Sequence, residues 1–333
     1  MKKTLIKKIY GFLVLGLLSI PSTTLMAVSN PTLTPNQTAA VMGIITNFIL
    51  DDDELSNIEE LAIEKIKAYA TSDGTSSVPT LQNYVDAGVT GLDVSNLADI
   101  NEVVGNLTAS EVDTASELQA LVDALGITTI MHNGTTYGFV TSPYTGKVWL
   151  DRNLGATRVC TSYDDTACYG DYYQWGRAAD GHEDSQSDTT ATQAIAVGNV
   201  GHGDFITANS TNDYDWAKIV DPTGSLRQTN WSKTDGSSVC PVGFRVPNIT
   251  ELRAETLDNG VTNRDTAFSN FLALPSAGIR SFLAGSMNVM GSYGSIWASS
   301  GSGSRANIIS FNTAAGWAVS GSAGGFSVRC IKN

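Results

Sequence analysis

The chain has 333 residues, 42% of them hydrophobic, and carries 20 Lys and Arg against 33 Asp and Glu, a net charge of −13. That field repels a polyanionic phosphate backbone, so nucleic acid is excluded as a partner. The length suits two or three domains, each large enough to bury a core of its own.

Residues 1–27 begin with Lys2, Lys3, Lys7 and Lys8, continue through an apolar run from Ile9 to Ile20, and reach Leu25-Met26-Ala27 after Pro21. A basic head, a short apolar stretch and a small residue at the end make a secretory signal peptide, with cleavage expected near Ala27. The twelve positions from Ile9 to Ile20 fall short of the roughly 20 that cross a bilayer. No second apolar stretch follows, so no membrane span is expected after cleavage. The segment holds four Lys and no acids, and its loss takes the net charge from −13 to −17. The mature protein is expected to be secreted or held at the cell surface.

Residues 28–73 read as a helical pair. Thr34-Pro35 suits a cap and first turn, and Val41, Ile44, Ile45, Phe48 and Ile49 recur at helical spacing. Asp51 to Glu54 places carboxylates at the positive end of a second helix, whose stripe is Leu55, Ile58, Ala62, Ile66 and Tyr69. Two such helices bury little alone, so they are expected to pack on a neighbour or to form an oligomer.

The stretch 71–78 is rich in Ser, Thr and Gly and reads as a linker. Residues 74–126 read as a three-helix module: a short helix ended by Gly88, a second capped by Ser95 and carrying Leu97, Ile100, Val103 and Val104, and a third. The third opens on Thr114-Ala115-Ser116-Glu117, a capping-box spacing, with Leu118, Leu121, Val122 and Leu125 inward. On these residues the module resembles small helical repeats of bacterial surface adhesins and, more loosely, albumin-binding three-helix modules.

Past Ile127 helical periodicity fades, and Gly, Ser, Asn, Thr and aromatics take over. Short strands are predicted at 137–140, 147–150, 307–311 and 325–329, with one helix at 248–257. The fold class is α+β, with residues 127–333 forming an irregular, loop-rich domain.

Seven blocks follow one another in that domain. They are Gly146-Lys-Val-Trp-Leu-Asp-Arg-Asn-Leu-Gly-Ala156, Gly170-Asp-Tyr-Tyr-Gln-Trp-Gly-Arg177, Asp180-Gly-His-Glu183, Cys240-Pro-Val-Gly-Phe-Arg-Val-Pro247, Leu274-Pro-Ser-Ala-Gly-Ile-Arg280, Ile296-Trp-Ala-Ser-Ser300 and Phe326-Ser-Val-Arg-Cys330. In this order they resemble the Fibrobacter major paralogous (FISUMP) domain family over about residues 137–333. That family is similar to the C-type-lectin-like fold shared with formylglycine-generating enzymes, whose Gly-Phe-Arg-Leu-Pro signature looks like Gly243 to Pro247 here. The resemblance implies a lectin-like scaffold on an exported bacterial protein, without a defined ligand. It would also imply a redox-active or copper-binding Cys pair if the enzyme chemistry came with the fold.

The four Cys, at 160, 168, 240 and 330, are even in number in an exported chain, so two disulfides are expected, with three connectivities open. Cys160 and Cys168 close a short loop and Cys240 and Cys330 lie at two ends of the domain, so Cys160–Cys168 and Cys240–Cys330 are the expected staples. No Ser-His-Asp arrangement stands in a strand-turn-helix context.

The loop 204–221 holds Asn209, Asn212, Asp213, Asp215 and Asp221, oxygen donors of the kind calcium takes, although no glycine stands where a helix–loop–helix calcium loop needs one. Tyr214, Trp216 and Trp231 lie beside it, and exposed aromatics among polar groups are how sugar rings are gripped. Tyr214, Trp216, Trp231, Asp213 and Asp215 are therefore the expected ligand site, with calcium the one cofactor the loop suits. The three His are His132, His182 and His202; His182 and His202 lie near Glu183, Asp184 and Asp204, but the spacing fits no zinc pattern. Trp149, Trp175 and Trp297 are expected in the core.

Three readings stand in order. The first is an extracellular, non-catalytic binding or adhesion protein whose partner is a polysaccharide or a surface protein. The second is an envelope assembly component that binds protein. The third is an enzyme of the formylglycine-generating type.

Overall fold

The computed structural model describes residues 52–72, 75–94, 96–198, 200–218 and 221–333. The expected signal peptide and cleavage point, the first helix of the expected pair and the expected Ser95 cap lie outside them. The described residues contain seven α-helices and fourteen strands in several sheets, an α+β protein.

The helical part comprises α1 (Asp52–Thr71), α2 (Leu81–Asp86), α3 (Leu97–Gly105) and α4 (Ala115–Ala124). Their apolar stripes meet in one cluster that includes Ile66, Tyr84, Ile100, Val104, Leu118 and Val122, all fully or nearly fully buried. Burying each such aliphatic side chain contributes about 1.5–3 kcal/mol against leaving it in water. The two short helices depend on their caps. Thr80 and Asn83 form a capping box for α2, and Thr114 and Glu117 form the predicted one for α4. Inside the cluster the Tyr84 hydroxyl donates to Asn101 Oδ1 at 2.8 Å, and Asn101 Nδ2 donates to the Pro79 carbonyl at 2.9 Å.

These helices lie against the sheets that follow. The Met131 amide donates to the Asp93 carboxylate, and Lys332 pairs with Asp123 at 3.7 Å. Gly243, from the Cys240–Pro247 block, shows why that block needs a glycine. Its φ is +79°, and a Cβ there would stand 2.7 Å from the Thr90 side chain.

The first sheet has five strands in the order β1 (Thr129–His132), β2 (Thr135–Thr141), β3 (Val148–Leu150), β14 (Ile331–Lys332) and β7 (Phe244–Arg245). An Asn133-Gly134 turn, with both residues at positive φ, joins β1 to β2. Another sheet orders β4 (Tyr173–Gln174), β13 (Gly325–Phe326), β8 (Ile279–Arg280) and β9 (Met287–Asn288), and β5 (Thr189–Thr190) pairs in parallel with β6 (Phe205–Ile206). The third is an antiparallel meander of β10 (Gly294–Ser302), β11 (Arg305–Phe311) and β12 (Ala315–Gly321), with β12 at its edge.

Three helices complete the fold: α5 (Ser225–Ser232), α6 (Ile249–Glu255) and α7 (Arg264–Ser269). The predicted helix at 248–257 is α6, started by an Asn248–Glu251 capping box. Glu251 also binds both terminal nitrogens of Arg245, at 2.6 and 2.7 Å. The strand expected over 325–329 stops at Phe326. Beyond it Arg329 turns inward, where its guanidinium donates to the Leu272 carbonyl at 2.7 Å and to Asn153 Oδ1 at 3.1 Å.

The disulfides are Cys160–Cys168 and Cys240–Cys330. The first closes a separation of 8 residues and the second one of 90, which joins the entry to β7 with the entry to β14. In the loop-entropy picture the long bridge stabilises by about 4–5 kcal/mol and the short one by about 2–3 kcal/mol. A Cys240→Ser, Cys330→Ser double variant is therefore expected to lose clearly more stability in chemical denaturation than Cys160→Ser, Cys168→Ser. Equal losses would mean that loop length does not govern these staples.

Candidate functional site

The structure divides the expected ligand residues into two groups. Trp216, Trp231 and Asp215 are buried, whereas Asp213 is exposed and Tyr214 half-buried. The expectation that Trp216 and Trp231 offer stacking surfaces is corrected, and the reason is hydrogen bonding. Trp216 Nε1 donates to the Trp175 carbonyl at 3.0 Å and Trp231 Nε1 to the Arg177 carbonyl at 3.0 Å. Trp297 Nε1 donates to the Tyr173 carbonyl at 2.7 Å. Three indoles from separate parts of the chain thus satisfy alternate carbonyls of one segment, Tyr173 to Arg177. A buried indole needs such a partner, and here the partner fixes each ring in the core.

Most of the loop oxygens are taken by protein donors as well, while Asp215 Oδ2 is buried without a hydrogen-bond partner. Asn209 Oδ1 accepts from the Thr211 amide at 2.8 Å, and Asn212 Oδ1 accepts from the Asn209 amide at 2.7 Å. Asp215 Oδ1 accepts from Arg227 Nη2 at 2.6 Å, from the Ala217 amide at 2.9 Å and from Ser322 Oγ at 2.8 Å. Asp221 accepts from the Arg227 amide at 3.2 Å. Protein donors hold these side chains in separate turns, which is a different arrangement from the shared oxygen cage that calcium takes.

Among the described residues, Asp180, His182 and Glu183 are the one group of three His, Cys, Asp or Glu side chains whose candidate ligand atoms lie within 4.8 Å of one another. His182 is fully buried, and its Nε2 accepts the Gln174 amide at 3.0 Å. The proton therefore sits on Nδ1, which donates to Asp180 Oδ1 at 2.8 Å. Burial pushes its pKa down to about 4, so the ring stays neutral, and neither nitrogen keeps a free lone pair for a metal. Elsewhere His202 Nδ1 accepts the Asp204 amide at 3.2 Å, holding a turn, and His132 Nε2 donates to the Val239 carbonyl at 2.8 Å, tying β1 to the segment before Cys240.

A strip along β12 is open to solvent. All six Trp lie in the described residues; five are fully buried and Trp317 is 55% exposed. Its strand, Ala-Gly-Trp-Ala-Val-Ser-Gly, has no charge and no proline. Strand alternation puts Trp317, Val319 and Gly321 on one face, and Val319 is also 55% exposed. The pairing register sets Ile309, Asn307 and Arg305 of β11 opposite them. Ile309 is buried in a cluster with Leu252 of α6, so the face is covered at Ile309, while Arg305 and the Trp317 ring at the sheet edge stay in water.

Tyr214 and Asp213 join the strip at its far end. A Cβ on Gly321 would stand 2.4 Å from Tyr214 Cβ, so Tyr214 packs on the same face as Trp317 and Val319 and leaves room for glycine alone. Arg305 lies over the Tyr214 ring at 5.7 Å and pairs with Asp213 at 3.1 Å. The other face of Tyr214's surroundings is Phe282, edge-on at 5.1 Å. Asp213 and Tyr214 both take positive φ, 54° and 57°, which turns them outward while the next two residues go inward. Of the expected ligand residues the strip includes Asp213 and Tyr214, and Trp317, Val319 and Arg305 were not among them. An uncharged alternating stretch with one large aromatic, 315–321, was the available signal.

A titrating group lies apart from this strip. Burial, then the charges of Glu183 and Asp184, push the Asp171 carboxyl up to about 7 from its ordinary value near 3.8. Its folded value lies above the unfolded one, so its contribution to stability is fully present below about pH 4 and is lost as pH rises through 7. Asp171→Asn is expected to remove that part of the pH dependence, so that its stability relative to wild type improves between pH 5 and pH 8. A wild-type minus variant difference that stays flat across this window, in thermal denaturation, would contradict it.

No family model, curated protein or solved structure matches the chain.

Proposed function

We propose that the protein is an exported, non-catalytic binding protein that holds an extracellular glycan against the Trp317 strip. The observation that carries this reading is the contrast among the tryptophans: five sit in the core, and the sixth presents its ring to water on an uncharged edge strand. An indole face in water, with a polar pair along the same strip, supplies apolar stacking and hydrogen bonding together, the combination that sugar recognition uses. The leader and the two disulfides support an extracellular setting. All four Cys are used in those disulfides, which supports a scaffold role in place of thiol chemistry.

One exposed ring gives about 0.5–1.5 kcal/mol beyond area burial, so each copy binds weakly and many copies on a surface bind through avidity. Trp317→Ala is expected to reduce retention on polysaccharide-coated beads while leaving the melting temperature nearly unchanged. Trp216→Ala serves as the contrast, since emptying a fully buried indole site costs about 3–5 kcal/mol and should lower the melting temperature strongly. Undiminished retention by Trp317→Ala would refute the assignment of the site.

A further inference from the structure

The strip also carries information about the kind of glycan it fits. We infer that it takes an uncharged, extended, equatorially β-linked glycan laid along β12, with one ring on Trp317 and hydroxyls at the Arg305–Asp213 pair; this rests on the binding reading above.

Shape is the first argument. Trp317, Val319 and Gly321 share one face of a strand whose pairing with β11 runs without a bulge from 305 to 321. Four residues at about 3.3 Å each put Trp317 about 13 Å from Gly321, where Tyr214 packs. The strip is thus long and straight, with the open Trp317 ring at one end, the Tyr214 ring under Arg305 at the other and the branched Val319 between. An equatorially β-linked pyranose chain is extended and shows C–H groups on both ring faces, with hydroxyls at the rim. An α-linked chain curls and would leave one end of the strip.

Charge is the second argument. β12 bears no charged residue, and the charges at the far end, Arg305 and Asp213, are paired at 3.1 Å with both side chains largely exposed. A paired guanidinium and carboxylate offer donors and acceptors side by side. Ser304 Oγ also donates to Asp213 Oδ2, so the carboxylate is already supplied with donors; the site matches a hydroxyl, which both donates and accepts, better than a carboxylate or sulfate, which only accepts. The net charge of −13 adds a general repulsion against polyanions.

The test uses the full chain on surfaces that display cellohexaose, chitohexaose, maltohexaose or a β-linked oligoglucuronate of equal length, with sedimentation in parallel. Expected is binding of cellohexaose or chitohexaose above the other two, weakened about threefold to tenfold by Trp317→Ala at unchanged melting temperature. Arg305→Gln is expected to weaken it as well. Trp317-dependent binding that prefers maltohexaose or the oligoglucuronate would overturn this inference and leave the binding reading standing. Absence of binding to all four surfaces would overturn both. A dimer that dissociates on Trp317→Ala, without glycan binding, would also overturn both, since the edge strand would then serve a second copy.

Discussion

The C-terminal part of the molecule is built around one short stretch of backbone, Tyr173 to Arg177. Its alternate carbonyls receive indole N–H groups from Trp297, Trp216 and Trp231. Between them, Gln174 donates to the carbonyls of Ile206 and Ala323 and accepts from Arg177 and the Ile206 amide. A two-residue strand cannot organise a domain through ladder bonds, so side chains carry the task. Each bond joins a remote loop to the same spine, which lets a chain of short strands and long connections settle on one arrangement.

Buried guanidinium groups extend this scheme into the loops. Arg177 donates to the His202 and Asp204 carbonyls, and Arg280 to those of His182, Asp184, Ser187 and Gly285. Irregular loops expose carbonyls that no helix or sheet satisfies, and a planar group with five donors can gather several at once. The side-chain carboxylates follow the same logic. Asp215 is committed to Arg227, Ala217 and Ser322, which explains why an apparently calcium-like loop keeps its oxygens in separate turns.

The helices were legible in the sequence because their signals are local. The Thr114–Glu117 and Asn248–Glu251 boxes and the apolar stripe of α1 name their own positions. The disulfide pairing was legible from spacing. The strands of two residues were not, since pairs such as Tyr173-Gln174 have no periodicity to read and owe their state to partners far away. Trp216 and Trp317 show the same limit at the site. Nothing adjacent to either residue states whether a carbonyl waits for its N–H, so composition assigned the wrong indole to solvent. Asp213 reaches the surface and Tyr214 is half-buried, at positive φ values that Asp adopts more readily than most residues and Tyr does not.

The uneven placement of the tryptophans gives the protein an optical property. Five indoles are sealed from water and four of these donate to backbone carbonyls, counting Trp175 to Ser299, while a single indole faces solvent. Emission reachable by a dissolved quencher such as iodide therefore belongs to Trp317. The native chain is labelled at its own candidate site without a dye or a substitution, and occupancy of the strip can be followed as shielding of that one fluorophore.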